Sequence, residues 1–471
     1  MAGPKQSVLR VLPSVDRLLK DAELLELAAG VPQRVLTDAV RWAVDQTRQS
    51  LLDESPDDAD EATVRQAVLD ATMARVRLAM GPYYRKVINA TGIILHTALG
   101  RAVLPARALD QIRDELSGYS LLQADLEAGK RSKRDGRIEW LLQQLTGAEA
   151  ATVVNNNAAA TSIVLNTLAK GREVIVSRGQ LVEIGGSFRL PDVMAASGVK
   201  LVEVGTTNKT HPHDYENAIT EDTAALMRLH PSNYRIVGFA SEVPIEDLVR
   251  IAHAHDLPVI DDVGAGALID FSRFGFEQEP TLPDSIRAGA DIVTSSADKL
   301  IGGYQGGIIL GKAERIDAVR QNPLARIVRA GKLTLAALEA TLTLFLDEAV
   351  ACREVPILQM LLRTPAEIAE QAERIADAVR KRATGADVTA VEGFSQMGSG
   401  SLPGQDLPTL LVAIRPERTS PNSMGKRLRQ HSPPVFTRIQ KDQLLVDPRT
   451  VLSGEEQTLI EALVEALEPE A

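Results

Sequence analysis

The sequence predicts an α/β protein in which a central domain on a mostly parallel sheet follows a helical unit and precedes a smaller α+β unit. Three observations predict it. From about residue 86 to 330, helical stretches alternate with short apolar runs: Ala151-Thr-Val-Val154, Glu173-Val-Ile-Val176, Lys200-Leu-Val-Glu-Val204, Pro258-Val-Ile260, Ile292-Val-Thr294 and Gly307-Ile-Ile-Leu310. Apolar strands that alternate with helices form a parallel sheet covered on both faces. Residues 7–80 carry helical periodicity alone, and residues beyond 331 mix one long helical stretch with strand-like runs. The expected domains are 1–80, 81–330 and 331–471.

In the first of these, Ser14 is a cap signal ahead of 15–19, and Val35, Leu36, Ala39, Val40 and Ala43 recur at helical spacing. An acidic linker over 53–61 leads to a second helix carrying Val64, Val68, Leu69, Met73 and Val76. At the other end, a helix over about 333–348 precedes the strand-like runs 409–413 and 443–446 and a closing helix that ends at Leu467. Residues 398–404, rich in Gly and Ser, read as a loop.

Composition narrows the function. The chain has 471 residues, 44% of them hydrophobic, enough for a large core. No apolar run approaches the roughly 20 residues of a membrane span. The opening Met-Ala-Gly-Pro-Lys-Gln-Ser lacks the regions of a signal peptide, so a cytoplasmic location is expected. The single cysteine, Cys352, excludes an internal disulfide and a multi-cysteine zinc site. His211 and His213 stand in a turn without companion ligands, so no metal site is expected. A net charge of −11 argues against wholesale electrostatic binding of nucleic acid. A local basic run, Lys130-Arg-Ser-Lys-Arg-Asp-Gly-Arg137, reads either as a solvated loop or as a phosphate or subunit contact.

The chemistry gathers where the strands end, which is where ligands sit in open parallel sheets. Polar clusters follow successive strands: 155–157 (three Asn), 177–180, 205–208, the pair Asp261 and Asp262, and Lys299. Lys299 follows the small residues 295–297 and precedes two glycine pairs. Taken alone it is also compatible with a surface lysine in a glycine-rich turn. Beside apolar backbone, however, an ammonium loses hydration and its pKa falls, so that the neutral amine can attack an aldehyde such as that of pyridoxal 5'-phosphate (PLP). The flanking serines and glycines leave room for a flat cofactor. PLP needs two further partners. A carboxylate must face its ring nitrogen, for which Asp262 is favoured over Asp261, and backbone donors at a helix start must hold its phosphate, for which Asn156 and Asn157 are the candidates. Gln180 is expected over the ring. The sequence Gly306-Gly-Ile-Ile-Leu-Gly-Lys312 begins like a nucleotide-binding P-loop, yet Ala313 stands where the magnesium-binding hydroxyl belongs.

Five longer segments then carry a resemblance: 12–19, 88–101, 177–186, 230–238 and 295–299. Together they resemble bacterial selenocysteine synthase, the L-seryl-tRNA(Sec) selenium transferase family, in the right order over nearly the whole chain. The resemblance implies the fold type I, aspartate aminotransferase-like architecture of PLP-dependent transferases. It implies conversion of seryl-tRNA(Sec) to selenocysteyl-tRNA(Sec), for selenoprotein synthesis, by loss of water and addition of selenium from selenophosphate. Lys299 would be the Schiff-base residue and would handle the α-proton. Arg101, Arg326 and Arg329 match the family's arginines for the anionic donor, Asp298 precedes the lysine as in relatives, and Thr206, Thr207 and Asn233 match positions lining the pocket. The N-terminal unit resembles a tRNA-recognition domain, although aromatics make up only 3% of the chain, which leaves base stacking a small part. A homodecamer of five dimers, with active sites at dimer interfaces, is the implied assembly. Two other readings stand beside this one: a PLP-dependent lyase or aldolase acting on a free amino acid, and a non-catalytic RNA-binding assembly.

Overall fold

A computed structural model describes residues 9–54, 60–185, 188–402 and 404–468. The opening heptapeptide, residues 55–59 of the acidic linker, Gly186 and Pro403 lie outside the described residues. The chain divides into two compact units, Met1–Lys86 and Val87–Ala471.

The first unit is helical. Ser14 caps the short helix Val15–Leu18 by accepting from Arg17 N, and Asp21 caps Ala22–Leu27 by accepting from Leu24 N. Two long helices follow, α1 (Gln33–Glu54) and α2 (Glu61–Met80), the latter capped by Asp60. Leu36, Val40 and Val44 of α1 meet Val68, Leu69 and Val76 of α2, with Leu18 and Leu24 closing the cluster. This is how short helices that are marginal alone become stable. Arg65 fastens the early helices to α2, with Nη2 2.8 Å from both Asp21 and Glu23.

The second unit is built on a seven-stranded sheet of β1 (Ala150–Val154), β2 (Glu173–Ser177), β3 (Lys200–Val204), β4 (Thr223–Leu229), β5 (Val259–Gly264), β6 (Ile292–Ser296) and β7 (Gly307–Gly311). Their spatial order is β1-β7-β6-β5-β4-β2-β3. All neighbours are parallel except β7, which runs antiparallel to both β1 and β6. Residues of β1, β6 and β7 are buried throughout, which is why they read as unbroken apolar runs. Separate apolar clusters cover the two faces, one around Val153, Val293 and Ile308, the other around Val154, Ile260 and Ile309.

One strand, β4, is absent from the sequence-based set. Its residues, Thr-Ala-Ala-Leu-Met-Arg-Leu, are mostly good helix formers, and burial between β5 and β2 overrides that local preference. Beyond the sheet, the helix α3 (Asn157–Ala169) follows β1, and α4 (Lys332–Leu344) comes after β7. The expected single helix over 333–348 ends at Leu344 because Asp347 caps a new helix, Glu348–Glu354, by accepting from Ala349 N and Val350 N. The remainder forms a four-stranded antiparallel sheet of β8 (Ala386–Ser395), β9 (Leu407–Pro416), β10 (Arg438–Gln440) and β11 (Gln443–Val446), in the order β8-β9-β11-β10. Helices Pro365–Arg382 and Glu456–Leu467 cover one of its faces, with Ile375, Val412 and Leu463 in the shared core. Residues 331–471 fall within the same compact unit as the large sheet.

The register of β4 against β5 pairs Arg228 with Asp261, and their side chains form a two-pronged ion pair at 2.7 Å, with Asp261 fully buried. Removing one member of such a pair strands the other charge in the interior. Arg228→Ala is therefore expected to lower stability by roughly 3 kcal/mol, read from urea unfolding, whereas Arg250→Ala, which loses only an exposed pair, changes it by less than about 1 kcal/mol.

Candidate active site

Lys299 stands in the connection between β6 and β7, and this connection is buried, not a surface turn. Lys299 is 5% exposed, and its neighbours Ala297, Leu300 and Ile301 are buried with it. Backbone bonds hold the bend: Ala297 N donates to Gly306 O at 2.9 Å, Gly303 N to Ala297 O at 2.9 Å, and Leu300 N to Ala265 O at 3.1 Å. The glycines act differently from the expectation that they leave space for a cofactor. A Cβ on Gly302 would come within 2.6 Å of Val355, and one on Gly303 within 3.2 Å of Leu338, so these glycines admit helices from the far side. Gly307 lets β7 pass the Asn156 turn, where a Cβ would lie 2.1 Å from Asn156 O. The cofactor-sized space lies on the other side of Lys299. It is a cavity of about 320 Å³ lined by Lys299, Asp262, Asn156, Asn157, Arg101 and His230, among others.

The two aspartates separate as alternate residues of a strand must. Asp261 faces Arg228, and Asp262 faces the cavity. Asn157 Nδ2 donates to Asp262 Oδ1 at 2.9 Å, Thr161 Oγ1 to Oδ2 at 2.8 Å, and Gly264 N to Oδ1 at 3.1 Å. Burial pushes the Asp262 carboxyl above the usual range, against the opposing pull of Asn157, Thr161 and the Lys299 charge. Lys299 moves the other way: burial, then the charge of Arg101, lowers its pKa, while Asp262 and Asp298 oppose the shift.

Asn156 caps α3, accepting from Ala159 N at 2.9 Å, so the start of a 13-residue helix points its first backbone donors toward the cavity edge, which Ala158 also lines. Such an end attracts a phosphate. Asn157 is committed through its amide to Asp262, and its Oδ1 is buried without a partner. Arg101 follows Gly100 in a left-handed turn, with φ of 63° at Arg101 itself, and pairs with Asp298 at 2.9 Å. This places a cation on the cavity wall beside Lys299.

Other expected residues lie elsewhere in the single chain. Gln180 is buried outside the lining, where its Oε1 accepts from Leu229 N at 3.2 Å. Thr206 and Thr207 occupy an exposed turn, with Thr206 Oγ1 donating to Lys209 O. Asn233 is exposed and donates to Glu183 O at 2.9 Å. Arg326 and Arg329 line a second cleft of about 290 Å³, together with Lys133 and Arg134 of the basic run. Burial, followed by the charges of Arg329 and Arg131, lowers the Arg134 pKa, and Asp135, which lines the same cleft, opposes the shift. His230 opens the segment 230–238 but was given no site role by the sequence, because the strand it follows, β4, was not recognised.

The buried Lys299, whose desolvation outweighs the pull of Asp262 and Asp298, has a measurable cost in the cofactor-free protein. Its folded pKa lies below the ordinary 10.5, so the penalty is complete below the folded pKa and disappears as pH rises toward 10.5. Lys299→Met is expected to raise the thermal unfolding midpoint of cofactor-free protein at pH 7, and the gap to wild type should narrow steadily in scans at higher pH. A pH-independent gap would mean that the lysine is not a buried charge.

Comparison with known proteins agrees with this geometry. The family model described as L-seryl-tRNA selenium transferase matches residues 87–452, and the model described as selenocysteine synthase N terminal matches residues 9–48. The L-seryl-tRNA(Sec) selenium transferase of Solidesulfovibrio magneticus is 47% identical over 99% of both chains, and that of Alkaliphilus metalliredigens is 45% identical over 98% of both. Among solved structures, a D-glucosaminate-6-phosphate ammonia-lyase shares the fold, with a TM-score of 0.57 at 21% identity over 83% of this chain and 98% of that one. The architecture is fold type I, with a seven-stranded, mostly parallel sheet. By sequence along its full length, the chain belongs to the L-seryl-tRNA(Sec) selenium transferase family.

Proposed function

We propose that the Lys299 cavity is the site at which this chain turns L-seryl-tRNA(Sec) into L-selenocysteyl-tRNA(Sec), with selenophosphate as selenium donor. The observation that carries the proposal is a buried lysine of lowered pKa sharing one cavity with a buried aspartate and the start of α3. These residues fit PLP. Lys299 would hold its aldehyde, Asp262 would face its ring nitrogen, and the α3 start at Asn156 and Asn157 would take its phosphate. Bound there, PLP supplies an electron sink at the carbon that gives up its proton.

The remaining steps belong to the side chains. Lys299 Nζ, whose neutral form burial favours, accepts the α-proton of the seryl group, and the β C–O bond breaks as the hydroxyl leaves with a proton as water. Selenium from the donor then forms the new bond at the β-carbon, Lys299 returns a proton to the α-carbon, and attack of water on phosphorus breaks the Se–P bond, leaving the selenol and inorganic phosphate. Asp298 lines the cavity next to Lys299 in sequence, and the hydrogen bond it accepts from Arg101 holds both groups in the wall. Arg101 offers the donor's phosphate a charged contact. Thr206, Thr207 and Asn233, exposed in the single chain, are proposed to meet the seryl ester in the assembled enzyme, and Gln180 supports the cavity through β4.

Arg326 and Arg329 serve the same anion in this proposal, yet one chain keeps them in a separate cleft. A homodecamer of five dimers, with sites at dimer interfaces, is the proposed assembly in which a second copy delivers them. Met1–Lys86 is proposed as the tRNA-recognition unit, supported by its separate core and by the match over residues 9–48. No helix among the described residues is long and apolar enough to cross a membrane, and the proposed location is the cytoplasm.

Three outcomes test these assignments. Loading with PLP is expected to give a visible absorption that Lys299→Ala abolishes, together with conversion of seryl-tRNA(Sec) in the presence of selenophosphate; an unchanged spectrum in the variant would refute the lysine's role. Co-expressed Lys299→Ala and Arg329→Ala chains should recover about a quarter of wild-type activity, because half of randomly paired dimers contain one intact composite site. Absence of recovery, with each variant stably assembled, places Arg329 in its own chain's site or in none. Removing residues 1–86 should preserve the absorption while reducing discrimination between tRNA(Sec) and serine tRNA by about tenfold or more, or ~1.4 kcal/mol.

A further inference from the structure

The roles above leave unused a pair of groups behind the cavity. His230 lines the cavity, and its backbone N–H donates to Asp262 O at 3.0 Å, so the end of β5 fixes it one residue from the Asp262 side chain's own strand position. Its Nε2 lies 3.7 Å from Glu279 Oε2, and its Nδ1 is buried with no hydrogen-bond partner. Glu279 is only 7% exposed. It arrives on the loop between the Phe271–Phe274 turn and the helix Leu282–Arg287, and that loop is secured at Glu277, whose N–H donates to Gln405 Oε1 at 2.9 Å and whose carboxylate pairs with Arg235. A carboxyl group taken out of water without a strong partner is costly, and the group within its reach here is an imidazole that forms part of the cavity wall. At 3.7 Å a small side-chain rotation completes a hydrogen bond.

We propose that Glu279 is a positioning residue for the reaction, engaging His230 Nε2 and holding an uncharged imidazole as a fixed part of the wall against the bound cofactor. The proposal rests on the reading of the cavity as the PLP site. The surrounding charges agree with a neutral ring. Burial, with Arg228 and Lys299, lowers the His230 pKa to about 4, and Asp261 alone opposes them. Burial raises the Glu279 carboxyl to about 7 against the pull of Arg235. Near neutral pH, therefore, the carboxyl changes state while the imidazole stays uncharged. Below about 7 the protonated carboxyl donates to Nε2 and the ring proton sits on Nδ1; above it the carboxylate accepts from Nε2–H and Nδ1 is bare. The pair thus sets the tautomer that the cavity meets.

The test is PLP affinity, measured by titrating cofactor into cofactor-free full-length protein between pH 6 and 8.5 and following the visible absorption. Wild type is expected to show a step in affinity centred near pH 7. Glu279→Gln, which can donate or accept but does not titrate, should hold affinity within about threefold and flatten the step. Glu279→Leu, which leaves Nε2 without a partner, should weaken binding about tenfold across the range. Wild-type affinity and an unchanged pH profile in both variants would overturn the proposal. If Glu279→Leu does not assemble, Glu279→Gln decides alone, since a retained step in that variant has the same force. A wild-type protein without any Lys299-dependent absorption is a different result, which removes the cofactor reading and this proposal with it.

Discussion

The site depends on two adjacent carboxylates buried at the end of one central strand. Consecutive residues of β5 point to opposite faces of the sheet, so each of Asp261 and Asp262 must be compensated in its own layer. Arg228 neutralises Asp261 from the neighbouring strand, and Asn157 and Thr161, from the first turns of α3, hold Asp262. Because the second aspartate is tied by neutral donors and not by a cation, its charge remains available to whatever enters the cavity. The same bonds fix α3 against β5, so the helix end that suits a phosphate and the carboxylate that suits a ring nitrogen are set at a constant separation.

Much of this was legible in the sequence, and the limits have physical causes. Six of the seven strands were readable from short runs rich in apolar residues, unbroken where burial is complete, as in β1 and β7, and interrupted by charges at the edge strand β3. The seventh, β4, uses Ala, Met and Leu, which fit a helix equally well, and its loss concealed the position of His230. Lys299, Asp262, Asn156, Asn157 and Arg101 were readable because they directly follow recognisable strands or belong to a long motif, and the chain brings them to one cavity. Arg326 and Arg329 were readable as motif positions only. In the single chain they line a cleft apart from the Lys299 cavity, a placement that periodicity and spacing do not encode. The roles of the glycines after Lys299 were also hidden, because which side of a loop is crowded is a property of the packed helices around it.

The cations divide into three kinds by their surroundings. Arg228 is spent on a buried acid, the partly exposed Arg101 is paired with the buried Asp298, and the group at Arg134, Arg326 and Arg329 is crowded together in a cleft. A chain with a net charge of −11 thus still gathers Lys133, Arg134, Arg320, Arg326 and Arg329 along one cleft, against one lining acid, Asp135.

The antiparallel insertion of β7 between β1 and β6 has a consequence for motion. The Lys299 bend joins two strands that both lie inside the sheet, with further strands beyond each, so this segment cannot open without separating the middle of the core. Its amide protons should belong to the slowest-exchanging set in the unit, released only when the unit unfolds as a whole. Any movement of the Lys299 amine is consequently confined to rotation about the bonds of its own side chain, on a backbone that stays still.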